Sequence, residues 1–372
     1  MLTFEKLYQE GHEEVVFFSD SSCNLKAIVA IHSTILGPSL GGTRMWPYKN
    51  EDEAIKDVLR LSKGMTYKAS ISGLNLGGGK AVIIGDPEKD KSEALFRSYG
   101  KFIESLNGRY VTAEDVNINL DDIENVYKET SFVTGVSQVH GGSGNPAPYT
   151  ALGVFRGIEA SLLKVFGNSS VRGRSFALQG AGAVGRILGK LLDNGGAKVY
   201  VSDISKKNLE LFKEEVPNVE IVGVDDIYTI KCDVYTPCAL GGTVNDETIE
   251  KFKCKIVAGS ANNQLAREEH GDILKKKNIL YAPDYLINAG GLMNVSTEFE
   301  GWSNEKAERM VNTIYDVTLK IFKFSEENNL PVYKATDLLA EQRIESIKKL
   351  QGKFIRSSSP NFPGRTRSPF LV

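Results

Sequence analysis

The chain has 372 residues, more than one small core accommodates and enough for two domains. Hydrophobic residues at 41% and charged residues at 25% are the balance of a soluble globular protein. The 45 basic and 47 acidic residues leave a formal net charge of −2, which argues against nucleic acid or an anionic membrane as the main partner.

The N-terminal stretch MLTFEKLYQEGHEEVV is charged and lacks an apolar signal core, and nowhere do about 18 apolar residues run together. LKAIVAIHST (25–34), rich in Ile, Val and Ala, reads as a buried strand. NEDEAIKDVLRLSKGM (50–65) carries Ile55, Val58 and Leu59 at helical spacing, with Asn50 as N-cap. KAVIIGDP is a strand ending in a turn, KSEALFRSYGKFIESLNG a helix closed by Asn-Gly, and GRYVTAEDV a strand running into acidic residues.

Glycine, 36 of the 372 residues, exceeds the usual share of about 7%. In GLNLGGGKAV three glycines end on Lys80, which invites comparison with a phosphate-binding loop. That loop needs glycine at position 74 and a hydroxyl at 81, and the chain has Leu74 and Ala81. The phosphate reading fails at both ends. These glycines are expected instead to let backbone pass close to a substrate cleft, mounting Lys80 where water is excluded.

The middle of the chain changes character. GRSFALQGAGAVGRILGKLLDNGGAKVYVSDIS (173–205) reads strand, glycine turn, helix, glycine break, strand, and CDVYTPCA, KIVAGSANN and NILYAPDYLINAGG add strand candidates. Strands alternating with helices predict a parallel sheet covered on both faces. Gly180-Ala181-Gly182-Ala183-Val184-Gly185, followed by Arg186, matches the dinucleotide pattern in that context. Gly180 would permit the tight turn, Gly182 the approach of a pyrophosphate, and Gly185 close helix–strand packing. Asp203, with Ile204 beside it, would bind the adenosine ribose and repel a 2′-phosphate, favouring NAD; Ser205, Lys206 and Lys207 could soften that preference.

Near the C-terminus, 304–329 reads as one long amphipathic helix and 335–351 as a second that returns to the first domain. SSSPNFPGRTRSPFLV is Ser/Pro/Arg-rich, and 356–372 is expected to be disordered. The cysteines at 23, 232, 238 and 254 form no C-x-x-C pair and have no His at zinc-ligand spacing, so no metal is expected. Cys238 is expected to be a buried small thiol, and the compartment a reducing cytoplasm.

Lys68 in KGMTYKAS and Lys80 are flanked by Met, Tyr, Ala, Leu and Gly, and Asp115 stands in TAEDV. Desolvation disfavours the ammonium form of a lysine, and a lysine so tuned acts as a general base near neutral pH.

LGGTRMWPY, LRLSKGMTYKAS, GLNLGGGKAVIIGDP, YVTAEDV, GSGNPAPYTALGV, YTPCALGGTVND, AGSANNQL and YAPDYLINAGG, in this order, resemble the glutamate/leucine/phenylalanine/valine dehydrogenases, the leucine-using branch above all. The resemblance runs from about residue 10 to 350 and leaves out only the tail. It implies an α/β protein of two domains separated by a deep cleft. A substrate and oligomerisation domain (1–135 plus 330–355) would face an NAD-binding Rossmann domain (136–329). The implied reaction is oxidative deamination of an L-amino acid by NAD to a 2-oxo acid and ammonia, in a homo-oligomer that is an octamer in the leucine branch.

Residue by residue, the resemblance gives Lys68 the substrate carboxylate with help from Asn262, Lys80 the role of general base toward water, and Asp115 the proton relay beside the amino group. Thr150 would orient the nicotinamide carboxamide, and Ala239 and Asn262 would line the cofactor cleft. Gly42, Met65, Leu40, Ala113, Leu292 and Val295 would form the rest of the substrate pocket. Where glutamate-using relatives carry a lysine before Gly-Gly this chain has Leu40, and Val295 replaces a hydroxyl; glutamate would therefore bury an unpaired charge at a cost on the order of several kcal/mol. A branched aliphatic side chain fits, and because a methylene is worth only about 1 to 3 kcal/mol, Leu, Ile and Val should all react. After TAEDV the chain reads Asn117-Ile118-Asn119 where members of the family usually read Gly-Thr, a stretch that bears on aliphatic against aromatic preference. The competing readings are the same reaction on phenylalanine or tryptophan, and a non-catalytic NAD-binding sensor.

Overall fold

The computed structural model describes residues 4–350 and shows two compact units. One gathers the described residues up to Asn145, Val295–Lys306 and those from Ala340 on; the other gathers Pro146–Asn294 and Ala307–Leu339. The expected tail, 356–372, and the last residue of the helix expected over 335–351 lie outside the described residues.

In the first unit α1 (Phe4–Glu10) precedes strands β1 (Glu14–Asp20), β2 (Leu25–Ser33) and β3 (Ser39–Trp46). They are followed by α2 (Glu51–Ile71), β4 (Gly77–Ile84), α3 (Glu93–Ser105), β5 (Tyr110–Glu114) and α4 (Leu120–Tyr127). The sheet order is β1-β2-β4-β3-β5, with β2 antiparallel to β1 and β4, and β3 parallel to β4 and β5. Asn50 caps α2 by accepting from the Glu53 N–H, and three acidic residues fill the first turn, where the helix dipole favours them. The helix expected over 50–65 runs on through Gly64 to Ile71, and the left-handed turn comes only at Gly73, φ +74°. Lys68 therefore stands in a helix.

Successive side chains of a strand point to opposite faces. On one face Ile28, Ala30 and Val82 pack with Ile55, Val58 and Leu59 of α2. On the other, the Thr43 hydroxyl lies 2.6 Å from both the Tyr99 hydroxyl of α3 and the Thr112 hydroxyl of β5. The glycine triplet before Lys80 is itself strand. A Cβ on Gly78 would lie 2.1 Å from the Thr66 backbone nitrogen in α2, and one on Gly79 2.6 Å from the Tyr110 ring. Both faces of the strand are thus pressed close to their neighbours.

The second unit opens with α5 (Ala147–Phe166). It continues through β6 (Ser175–Gln179), α6 (Ala183–Asn194), β7 (Lys198–Ser202), α7 (Lys206–Glu215), β8 (Glu220–Ile221), β9 (Val234–Pro237), α8 (Asp246–Lys251), β10 (Ile256–Val257), α9 (Glu269–Lys276), β11 (Leu280–Tyr281) and α10 (Asp284–Ile287). Helices α11 (Gly290–Ser296), α12 (Asn304–Asn312), α13 (Ile314–Glu327) and α14 (Val332–Lys348) complete the chain. The six strands are all parallel, in the order β11-β10-β9-β6-β7-β8, a doubly wound sheet with its switch point between β6 and β9. The single helix expected over 304–329 is two. At Thr313 both the backbone N–H and the side-chain hydroxyl bond to the Met310 carbonyl, at 3.1 and 2.7 Å, and this tight turn interrupts the helical ladder. Among the described residues no helix is long and apolar enough to cross a membrane.

Candidate active site

Lys80 lies in β4 between β2 and β3, its side chain 6% exposed. Its sequence neighbours are uncharged, but the fold brings the Asp115 carboxylate to 2.8 Å from its Nζ. Asp115 follows directly on β5 and is 24% exposed. The Arg44 Nε reaches the same oxygen, Oδ2, at 3.1 Å, while Arg44 Nη1 bonds to Asp57 at 3.0 Å. Tyr48 donates to Asp57 at 2.8 Å. Burial pushes the Asp115 carboxyl up; Lys80 and Arg44 outweigh it, and the group is held below the ordinary carboxylate range. Close approach is possible because residue 42 is glycine: a Cβ there would sit 2.3 Å from the Glu114 carbonyl oxygen and 2.8 Å from the Asp115 Cβ.

Register and pleat place the other candidates of this unit. Leu40 pairs with Gly78 and Val111, and Gly42 with Ala113. By alternation Leu40, Gly42 and Arg44 share a face with Gly78, Lys80 and Ala113. This is the face α2 covers, through Gly78 against Thr66. Met65 and Lys68, both half-buried, flank Thr66 three residues apart on one side of that helix. Val295 also belongs to this unit and is buried in α11. Arg44 was missed from the sequence: it stands in LGGTRMWPY, 71 residues from Asp115, and only strand pairing reveals the contact.

Asn117, Ile118 and Asn119 have local explanations. Asn117 adopts φ +61°, a conformation glycine takes at least cost, and its amide donates to the Met45 carbonyl at 3.0 Å. Ile118 is buried. Asn119 caps α4 in a reciprocal box with Asp122.

In the second unit the glycine motif divides into distinct tasks. Gly180 has φ +106°, and a Cβ would meet the Cys238 carbonyl carbon at 2.7 Å, across the switch point. At Gly185 a Cβ would lie 2.0 Å from the Gly180 oxygen, so helix and turn touch there. At Gly182 a Cβ would meet nothing within 4 Å; this residue opens α6, whose first turn has no side-chain cap. Ala181 continues the turn, Ala183 and Val184 begin α6, and Arg186 pairs with Glu215 at 3.3 Å. Asp203 accepts from the Ala181 N–H and the Ser205 N–H, both at 2.7 Å, with carboxylate lone pairs to spare. Ile204 beside it is 88% exposed, and Ala239, just beyond β9, is exposed too. An uncapped helix N-terminus over open space, with a carboxylate at the next strand end, fits a dinucleotide.

Thr150, in the first turn of α5, donates to the Pro146 carbonyl at 3.1 Å. The exposed Asn262 accepts from the Asn288 amide at 2.8 Å, which orients its own amide. Leu292 is buried in α11, three residues before Val295. Cys238, expected to be buried, is half-buried, because it closes the turn after β9 rather than lying within the strand. Among the described residues no group of His, Cys, Asp and Glu could hold a metal ion.

Comparison with known proteins gives matches across most of the chain. Residues 12–132 match the Glu/Leu/Phe/Val dehydrogenase dimerisation domain, and residues 201–352 match the glutamate/leucine/phenylalanine/valine dehydrogenase domain. The leucine dehydrogenase of Thermoactinomyces intermedius is 51% identical, covering 96% of this chain and 97% of its own. A phenylalanine dehydrogenase of Caldalkalibacillus thermarum is 44% identical, covering 97% and 98%. Among solved structures, the L-tryptophan dehydrogenase of Nostoc punctiforme superposes with a TM-score of 0.81 at 43% identity, over 93% of this chain and 100% of that one.

Proposed function

The chain belongs to the glutamate/leucine/phenylalanine/valine dehydrogenase family and is an amino-acid dehydrogenase working with a nicotinamide cofactor, and we propose that it deaminates branched-chain L-amino acids with NAD. L-Leucine is the foremost substrate, with L-valine and L-isoleucine also used, and the products are the 2-oxo acid, ammonia and NADH. The observation that carries this reading is the pair of the buried Lys80 and the half-buried Asp115, 2.8 Å apart. The aliphatic preference is supported by Leu40, 1% exposed on the same sheet face, and by 51% identity to a leucine dehydrogenase against 44% to a phenylalanine dehydrogenase.

In this reading Lys68 pairs with the substrate carboxylate and Asn262 adds a hydrogen bond. Asp115 takes a proton from the α-amino group. The bound nicotinamide supplies the hydride acceptor for the hydrogen on Cα. Lys80, as the free amine, takes a proton from the water that adds to the imino carbon. Asp115 passes the proton it took to the departing nitrogen and, as a carboxylate again, faces the Lys80 ammonium. Amino acid, water and oxidised cofactor thereby become oxo acid, ammonium, reduced cofactor and one proton. Thr150, Ala239, Ile204 and Gly180 to Arg186 would hold the cofactor, and the negative charge of Asp203 favours NAD over NADP. Met65, Gly42, Ala113, Leu292 and Val295 would surround the side chain. The first unit serves substrate binding and homo-oligomer assembly, an octamer by family analogy, and the setting is the cytoplasm.

Initial rates of NADH formation with L-Leu, L-Val, L-Ile, L-Phe, L-Trp and L-Glu, and with NADP in place of NAD, test this. Leucine with NAD should be fastest; faster turnover of Phe or Trp overturns the side-chain assignment. K80A should lose deamination and keep NAD binding, and a K80A enzyme with unchanged turnover overturns the mechanism.

A further inference from the structure

Lys80 and Arg44 converge on a single oxygen of Asp115 from adjacent strands, at 2.8 and 3.1 Å. The two cations differ in one chemical respect. A lysine can cycle between ammonium and amine, whereas a guanidinium keeps its charge at any pH the fold survives. When Lys80 is an amine, a half-buried Asp115 with no other cation would be driven to take up a proton, because burial disfavours the carboxylate.

We propose that Arg44 is a positioning residue for the reaction: it keeps the Asp115 carboxylate aimed and ready to give up the proton it relays while Lys80 changes protonation state. The proposal rests on the deamination reading for its kinetic test. Arg44 is itself fixed, since Nη1 bonds to Asp57 of α2, which also accepts from Tyr48 and pairs with Arg60. Backbone ties hold the two partners side by side: Met45 N–H donates to the Val116 carbonyl at 3.2 Å, and the Asn117 amide donates back to the Met45 carbonyl at 3.0 Å. Among the described residues, the charged groups that act most on the Asp115 carboxyl are Lys80 from β4 and Arg44 from β3, with Asp57 and Tyr48 behind Arg44.

The test compares wild type, R44K and R44Q in kcat and KM for leucine across pH. R44Q should lower kcat by about tenfold or more while KM moves less than about threefold, and the acid limb of kcat/KM should move up by roughly one pH unit. R44K, which retains a cation, should recover part of both. A pH profile for R44Q that superimposes on wild type, whatever its kcat, overturns the proposal. A second arm needs no turnover: thermal unfolding against pH for wild type, R44Q, D115N and the double variant. The Asp115-dependent loss of stability on acidification should be smaller in R44Q than in wild type, because the folded carboxyl lies nearer its unfolded value, and this difference should vanish in the D115N background. Its absence in R44Q, or its persistence beside D115N, overturns the proposal. If wild type oxidises no amino acid, the deamination reading fails and the unfolding arm still decides this one.

Discussion

Gly185 stands so close to Gly180 that a Cβ on Gly185 would lie 2.0 Å from the Gly180 carbonyl oxygen, whereas a Cβ on Gly182, between them, would touch nothing. Structure and ligand binding can therefore be separated within one motif. G185A should destabilise the fold by about 1 to 3 kcal/mol, the usual cost of overpacking. G182A should unfold at the wild-type temperature and lose NAD affinity, because its methyl occupies the space over the helix N-terminus. Thermal melts with and without NAD check both, and equal melting losses in the two variants would contradict this division.

The same substitution should have opposite signs at Gly78 and Gly64. In Gly78→Ala the new methyl meets the Thr66 backbone 2.1 Å away and would force β4 off α2, at a cost of about 3 kcal/mol or more. Gly64 lies exposed in the body of α2 with open space around it, so Gly64→Ala should stabilise by up to about 1 kcal/mol through helix propensity. Denaturant midpoints measure both.

Asn117 supplies a left-handed turn and one hydrogen bond to Met45. N117G keeps the backbone conformation and loses the bond, costing about 0.5 to 1.5 kcal/mol. N117V adds backbone strain of about 1 to 2 kcal/mol to that loss. The ratio of leucine to phenylalanine turnover should change little in N117G, since the side chain is engaged with β3. A large swing in that ratio would tie this stretch to substrate choice.

His32 bonds to the Thr66 hydroxyl at 2.8 Å and is held down to about 4 by burial, with His12 and Lys63 adding to it. Its folded value lies below the unfolded one, so its contribution to stability is full above about pH 6.5 and is lost as pH falls toward 4. His12, lowered mainly by burial, acts in the same direction. The melting temperature should fall through this window, and H32N, which can keep the bond to Thr66, should flatten part of the fall. Parallel curves for wild type and H32N would refute the assignment.

Local signals were the legible ones. The dinucleotide turn was readable because its glycines, flanking strands and following acidic residue all lie within one short stretch. The Asn50 cap and the Asn-Gly stop after α3 likewise act within a turn of the helices they bound. What escaped depended on pairing between distant strands. Strand β3 carries two adjacent glycines and an arginine, a poor strand by composition, and it forms because β4 and β5 bracket it. Arg44 acquires its partner only through that bracket. The triplet before Lys80 looked like a loop for the same reason: glycine is weak in strands unless neighbours press so close that no side chain fits.

Leu40 and Lys80 stand on adjacent strands of one pleated face, while the hydrogen bonds that hold those strands run through backbone alone. An exchange of side chain at position 40 leaves every rung of that ladder in place. If Leu40 walls the substrate pocket as proposed, single substitutions there can retune substrate choice without rebuilding the frame that carries the lysine.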